Sequence, residues 1–232
     1  MELCIFNKIE DDLCIKGILE KNNVIVLRNI IEFSETEGVT SSAIKEYVAT
    51  RLANDDNILS RLAQAGKFIG DDLYRLAKFD IEQIYKKLFS TQIKYAPSGN
   101  PIGFSNGYVA SIRAITESKS AQELLDLLIE HYRKFGSGIL AKYNAFRYDG
   151  ELIGVSNTDD ITFDSLVGIE YQKQVLIDNT KAFVSGKAAN NVLLFGDRGT
   201  GKSSSVKALL NMFCDDGLRI IEMPKHCIKD IP

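Results

Sequence analysis

The sequence predicts an α/β domain built around a strand–loop–helix unit, preceded by a mainly α-helical N-terminal region. The unit consists of the apolar run 192–195, the glycine-rich loop 196–203 and a helical pattern directly after it. Most of residues 1–94 show apolar side chains at helical spacing behind capping residues. The pair Asp149-Gly150 lies between two apolar-containing runs and predicts a short β-hairpin.

Several start signals support the helical interpretation of the N-terminal region. The segments Thr40-Ser41-Ser42, Asp55-Asp56 and Asp71-Asp72 each precede apolar residues at helical spacing, so we expect them to cap helices. The run Val24–Leu27 fits either a strand or a buried helix, because periodicity does not separate the two. At Phe79-Asp80 the last of these helices could bend or divide.

Turn-forming residues divide the rest of the chain. Residues 95–107 are richest in them and are expected to be a linker or an ordered connection. Ser118–Ser120 then precede a strong helix that Gly136 ends. The predicted order is a helical region at 1–94, the connection at 95–107, helices plus the hairpin near 146–155 within 108–158, and the first part of the α/β domain at 159–232.

Composition narrows the class of protein. Of 232 residues, 45% are apolar and 25% charged, and the net charge of −3 indicates no overall basic field for nucleic acid. The N-terminus lacks the basic and apolar stretches of a secretion signal, and no apolar run is long enough to span a membrane. Four cysteines without CxxC spacing are typical of reduced thiols in the cytoplasm.

The glycine-rich loop matches the phosphate-binding pattern G-x-x-x-x-G-K-[S/T]. Gly196, Gly199 and Gly201 let the backbone bend and approach phosphates, and the following helix N-terminus favours an anion. Lys202 supplies a positive charge for the β- and γ-phosphates, and the Ser203 hydroxyl is suited to ligate Mg²⁺. The loop therefore predicts binding of ATP with Mg²⁺.

A second motif lies upstream of the loop. The box Phe163-Asp164-Ser165-Leu166-Val167-Gly168, followed by the loop, resembles the N-terminal motif of AAA+ ATPases. In that superfamily the backbone at positions matching Leu166 to Ile169 borders the adenine. The resemblance implies an AAA+-like nucleotide domain.

The resemblance is closest to one bacterial AAA+-type family of ATP-binding proteins with no assigned role. It is carried by residues 179–183, residues 190–195 and the loop variant with Asp197-Arg198, and by an Ala-Phe-Arg segment at 145–147. The similarity is sharp over residues 143–223 and weak before them. It implies a fold and a ligand but no pathway.

The expected ligand contacts follow from the two motifs. In the loop they are Gly196, Asp197, Arg198, Gly199, Thr200, Gly201, Lys202, Ser203 and Ser204, and in the box Leu166, Val167, Gly168 and Ile169. Ser203 is also the expected Mg²⁺ ligand. For Arg198 both a specific contact and a solvated side chain remain open.

No catalytic residue can be assigned from the sequence. The superfamily also needs an apolar strand ending in acidic residues, and the pair Asp215-Asp216 lies too soon after Ser203 to supply it. In AAA+ sheets the phosphate-loop strand and the next strand in sequence are not neighbours. We therefore expect an incomplete AAA+ domain and a chain that is the N-terminal piece of a longer protein.

Three functions remain open at this point. The first is an AAA+ ATPase that, when complete, forms a homo-oligomer and remodels a macromolecular partner. The second is a nucleotide-dependent binding or switch module without turnover. The third, a small-molecule P-loop kinase, gives no role to the upstream box.

The two histidines are weaker candidates. His131 lies within a predicted helix, where a surface or half-buried structural role is expected. His226 and Cys227 supply two candidate metal ligands, and from two ligands we do not expect a metal site.

Overall fold

The structure, a computed structural model, describes residues 1–38, 42–89, 104–156 and 158–230. Thr40 and Ser41 of the predicted cap, and residues 95–103 of the predicted connection, lie outside the described residues. The chain divides into two compact units, residues 1–142 and residues 143–232, and the β-hairpin belongs to the second.

The described part of the first unit is helical. A 3₁₀ turn at Asn7–Asp11 precedes α1, and a π-helical turn at Tyr85–Phe89 continues α5. The α-helices are α1 (Leu13–Leu19), α2 (Asn23–Glu37), α3 (Ala43–Ala53), α4 (Ile58–Gln64), α5 (Asp71–Ile84), α6 (Asn106–Thr116), α7 (Ala121–Phe135) and α8 (Ile139–Lys142).

One predicted helix of this unit is confirmed, and one alternative that the sequence left open is decided. Helix α7 starts after Ser120, whose hydroxyl accepts a hydrogen bond from the Glu123 N–H at 3.1 Å, and it ends at Gly136 with φ of 79°. The run Val24–Leu27, for which the sequence left a strand and a buried helix open, is helical and lies in the first two turns of α2. It presents Val26 to the core together with Ile30 and Phe33, which is the spacing of one helix face.

Other cap predictions were wrong in detail. Asn57 caps α4 through a capping box with Ser60, while Asp55 is buried and accepts a hydrogen bond from the Asn57 side chain. Gly70 precedes α5, so Asp71 and Asp72 lie in its first turn, where the helix dipole still favours acidic groups.

Helix α5 runs unbroken through Phe79-Asp80, so the division that the sequence left open at this point does not occur. The fully buried Asp80 carboxylate accepts hydrogen bonds from the backbone N–H groups of Cys4, Ile5 and Phe6 at 2.6–3.1 Å. A buried charge needs such partners, and here they fix the N-terminal segment against α5.

One apolar core holds the first unit together. Leu124, Leu125 and Leu128 of α7 are fully buried in it, with α4 and α5 packed against α7. In the same core the Tyr132 hydroxyl donates a hydrogen bond to the carbonyl of Leu52 at 2.5 Å. Burial raises the pKa of this phenol.

The second unit combines two helices with a small sheet. Its elements are β1 (Ala145–Tyr148), β2 (Leu152–Val155), α9 (Glu170–Val184), α10 (Lys202–Phe213) and β3 (Ile220–Glu222), with 3₁₀ turns at Phe163–Ser165, Cys214–Asp216 and Lys225–Asp230. Across the described ranges of both units, every helix is too short or too polar to cross a lipid bilayer.

The sheet has the order β2-β1-β3. Strands β1 and β2 form the predicted antiparallel hairpin, and Gly150 in its turn has φ of 80°. Strand β3 pairs with β1 in parallel, with Ala145 opposite Ile220, and an Arg147–Glu222 ion pair of 3.2 Å lies on the same two strands. The mixed sheet with helices agrees with an α/β class for this unit.

Candidate functional site

Residues 196–201, the part of the glycine-rich loop that precedes α10, bend at three glycines. Gly196, Gly199 and Gly201 have φ of 142°, 85° and 82°, a region that strains any residue with a Cβ. Between them Asp197, Arg198 and Thr200 are exposed. The backbone of the loop therefore turns sharply at its glycines and stays exposed to solvent between them.

The loop ends in the first turn of α10, which starts at Lys202 directly after Gly201. The Lys202 ammonium group folds back over the loop and donates hydrogen bonds to the carbonyls of Gly196 at 2.9 Å and Asp197 at 2.6 Å. It also lies 3.2 Å from the Thr200 hydroxyl, which itself donates to the Asp197 carbonyl at 2.9 Å. The cation thus lies inside the curve of the loop.

The serines that follow have different environments. Ser203 is exposed and Ser204 is half-buried. Ser205, which the sequence analysis did not single out, is buried, and its hydroxyl donates to the Gly201 carbonyl at 2.9 Å. This bond fixes the end of the loop onto α10, and its only sequence signal is a hydroxyl residue four positions after the last glycine.

The upstream box comes close to the loop. A Cβ placed on Gly201 would lie 3.6 Å from Cδ2 of the half-buried Leu166, so box and loop are in van der Waals range. Phe163 is buried in the 3₁₀ turn, and Val167 is 89% exposed beside Gly168, which has φ of 83°. Ile169, half-buried, lies directly before α9.

Polar contacts that the sequence did not reveal hold the box in place. The Asn211 amide on α10 donates to the carbonyls of Asp159 and Ile161, both at 2.9 Å. The Lys207 ammonium group pairs with the Asp159 carboxylate on the same stretch. Because both anchors come from α10, the segment leading into the box is tied to the helix that starts at the glycine-rich loop.

A second polar anchor precedes the loop. The side chain of Asn179 on α9 accepts from the Asn190 N–H and donates to the Asn190 carbonyl, each at 2.9 Å. This reciprocal pair fixes the chain just before the apolar run. Both asparagines belong to the residues that carry the AAA+-type resemblance, and their pairing requires the helix–loop geometry that only the structure gives.

The apolar run 192–195 does not form the predicted strand. Within the described ranges it pairs with no other strand, and Leu193 and Phe195 are 83% and 88% exposed. A strand needs a neighbour to bond its N–H and C=O groups, and β3 pairs with β1 instead.

The acidic pair Asp215-Asp216 lies in the 3₁₀ turn after α10, and Gly217 with φ of 93° then leads toward β3. Since α10 has 12 residues, the pair is about 18 Å from the loop end of the helix. These carboxylates therefore lie at the opposite end of α10 from the loop.

A cleft of about 580 Å³ lies between α10 and the sheet. Ser203, Val206 and Leu210 of α10 line one side, and Phe146 and Ile221 lie on the strand side. Its volume is in the range of small-molecule sites. Ser203, the residue expected to ligate Mg²⁺, therefore lines a cleft large enough for part of a small molecule.

Comparison with known proteins gives one family match. The family described as "Protein of unknown function (DUF815)" matches residues 141–232, which include the hairpin, the box and the loop. No curated protein and no solved structure gives a significant match to the chain. The second unit is therefore similar to a family whose description assigns no function.

Proposed function

We propose that the second unit is the phosphate- and adenine-binding part of an AAA+-type module and that it binds ATP with Mg²⁺. The observation that carries this proposal is the close approach of the box to the loop. Lys202 holds its cation within the curve of the loop, and Leu166 of the box lies at the Gly201 end of that loop.

Each expected contact has a physical reason. The first turn of α10 offers backbone N–H groups without intrahelical partners and the positive end of the helix dipole. The Lys202 ammonium group would exchange loop carbonyls for phosphate oxygens, and the Ser203 hydroxyl would ligate Mg²⁺. The exposed Val167 and the neighbouring backbone would contact the adenine.

Titration calorimetry of the full chain with ATP and Mg²⁺ tests the proposal. We expect Lys202→Ala to weaken ATP binding at least about tenfold, because a charge-assisted contact to phosphate is lost. Lys187→Ala is the matched control, since Lys187 is an exposed lysine of the same unit that belongs to neither the loop nor the box. Equal affinity of the Lys202 variant and wild type would contradict phosphate binding by this loop.

The box is tested separately with two ligands. Val167→Asp should weaken ATP binding several-fold, because a carboxylate replaces the apolar adenine contact, and should change tripolyphosphate binding much less. An equal loss for both ligands would mean that Val167 acts on the loop and not on the base.

The second candidate function is a nucleotide-dependent switch or binding module without turnover. The distance of Asp215-Asp216 from the loop favours it for the described residues. Release of phosphate from ATP by the full chain, lost in Lys202→Ala, would exclude this candidate. Hydrolysis, homo-oligomer formation and remodelling of a macromolecular partner by a complete AAA+ protein are proposals that the resemblance alone supports.

A further inference from the structure

A cluster of three metal-ligand side chains lies in the second unit, separate from the phosphate loop. Asp149, His226 and Cys227 place one carboxylate oxygen, one imidazole nitrogen and one thiol sulfur within 4.8 Å of one another. In the part of the chain that the structure describes, no other group of three His, Cys, Asp or Glu side chains meets this condition. We propose that these three residues bind a zinc ion.

The parallel pairing of β1 and β3 explains why the ligands meet. Parallel strands end at the same edge of a sheet, and Arg147 of β1 is opposite Glu222 of β3. Asp149 therefore leaves this edge in the β1–β2 turn. His226 and Cys227 leave it in the 3₁₀ turn after β3.

Local hydrogen bonds shape both segments. The Cys227 N–H donates to the Pro224 carbonyl at 2.9 Å, which bends the chain after β3 and turns the thiol inward. The Asp149 N–H donates to the Glu151 carbonyl at 3.1 Å across the hairpin turn. These bonds keep the backbone of both ligand segments in place while the side chains adjust.

The ligand types select the metal. A thiolate with an imidazole and a carboxylate suits Zn²⁺, whereas Mg²⁺ and Ca²⁺ prefer oxygen ligands alone. Ligand atoms of tetrahedral zinc lie about 3.5 Å apart, so separations of up to 4.8 Å between the three ligand atoms need to shorten by at most about 1.3 Å. The side chains of Asp149 and His226 are exposed and can rotate, and water from the same exposed side completes the coordination.

The ion would connect parts of the unit that are distant in sequence. It would join the turn of the hairpin to the segment after β3, next to the Arg147–Glu222 ion pair. Closing a long loop with a metal stabilises the folded state, because the separate ligands of the unfolded chain bind it more weakly. We therefore expect zinc to stabilise the sheet of the second unit.

Cobalt substitution of the full chain tests the site. After treatment with a chelator, addition of Co²⁺ should produce a thiolate-to-metal charge-transfer band and the visible bands of tetrahedral cobalt at one ion per chain. Zn²⁺ should displace both. A titration that yields only octahedral cobalt bands would overturn the proposal.

Matched variants identify the ligands. Cys227→Ser should abolish the charge-transfer band, and Cys214→Ser, at a half-buried cysteine of the same unit, should retain it. Asp149→Ala and His226→Ala change exposed side chains and leave the core intact, and each should weaken Co²⁺ binding at least about tenfold. These two variants test the site even where Cys227→Ser fails to fold.

Two outcomes would contradict the assignment. One is a charge-transfer band that persists in Cys227→Ser and disappears in Cys214→Ser. The other is unchanged Co²⁺ affinity in both Asp149→Ala and His226→Ala. The test does not depend on nucleotide, since neither Lys202 nor the box is altered.

Discussion

The two units of the chain bury their apolar residues to different extents. In the first unit side chains from its helices meet in one continuous core that extends from Leu3 to Ala141. In the second unit Val167, Leu193 and Phe195 are all more than 80% exposed. Packing therefore stabilises the first unit, while the second keeps much of its loop and box on the surface, where stability depends more on polar anchors such as Asn179 and Asn211.

The largest expected effect comes from opening the core of the first unit. Leu128→Ala removes a fully buried side chain from α7, and the cavity should cost about 3 kcal/mol of unfolding free energy. Native-state hydrogen exchange of the α4 and α7 amides measures this change, while amides of α10 should be unaffected. A loss below about 1 kcal/mol would show that the core is loosely packed.

A somewhat smaller loss of unfolding free energy is expected when the pH is lowered. His131 is buried, and this burial lowers its pKa to about 4, while its Nδ1 lies 2.8 Å from the Ser111 hydroxyl. The unfolded chain, with a histidine pKa near 6.5, binds the proton first as pH falls. Stability of the first unit should therefore drop by about 2 kcal/mol between pH 7 and pH 5, and further down to about pH 4.

Urea unfolding of wild type and His131→Gln at pH 7 and pH 5 checks this contribution. Carboxylates contribute equally to both proteins, so the difference between their pH slopes isolates the histidine. Identical slopes would mean that folding leaves the pKa of His131 at its unfolded value and would contradict the lowered pKa.

The smallest effect is expected in the second unit. Phe195→Ser changes a side chain that is 88% exposed and should alter stability by less than about 0.5 kcal/mol. Hydrogen exchange of α9 and α10 amides provides the measurement. A loss comparable to that of Leu128→Ala would show that the run 192–195 is buried in solution and would remove the contrast between the units.

Two local patterns predicted local structure well, although Asn57 and Gly70 take the cap positions expected for Asp55-Asp56 and Asp71-Asp72. The hydroxyl of Ser120 before an apolar periodic run marked the start of α7, and Asp149-Gly150 marked the hairpin, because a cap or a tight turn is decided by a few adjacent residues. The same holds for the three glycines of the loop, whose positive φ values fit the pattern.

Contacts between distant residues could not be predicted. The bonds of Asp80 to residues 4–6, the Asn179–Asn190 pair and the meeting of Asp149 with His226 all depend on how elements pack. The run 192–195 shows the limit most clearly. Its apolar composition suits a strand, but a strand forms only where a neighbour completes its hydrogen bonds, and composition does not contain that information.

The parallel ladder between β1 and β3 has a consequence for synthesis of the chain on the ribosome. The contacts of the first unit, and the β1–β2 hairpin, involve residues that emerge by Val155. Strand β3 emerges much later, so one edge of β1 stays unpaired while residues 156–219 are made. The nascent second unit therefore passes through a stage with an open strand edge, a natural point for chaperone binding or for misassembly between neighbouring chains.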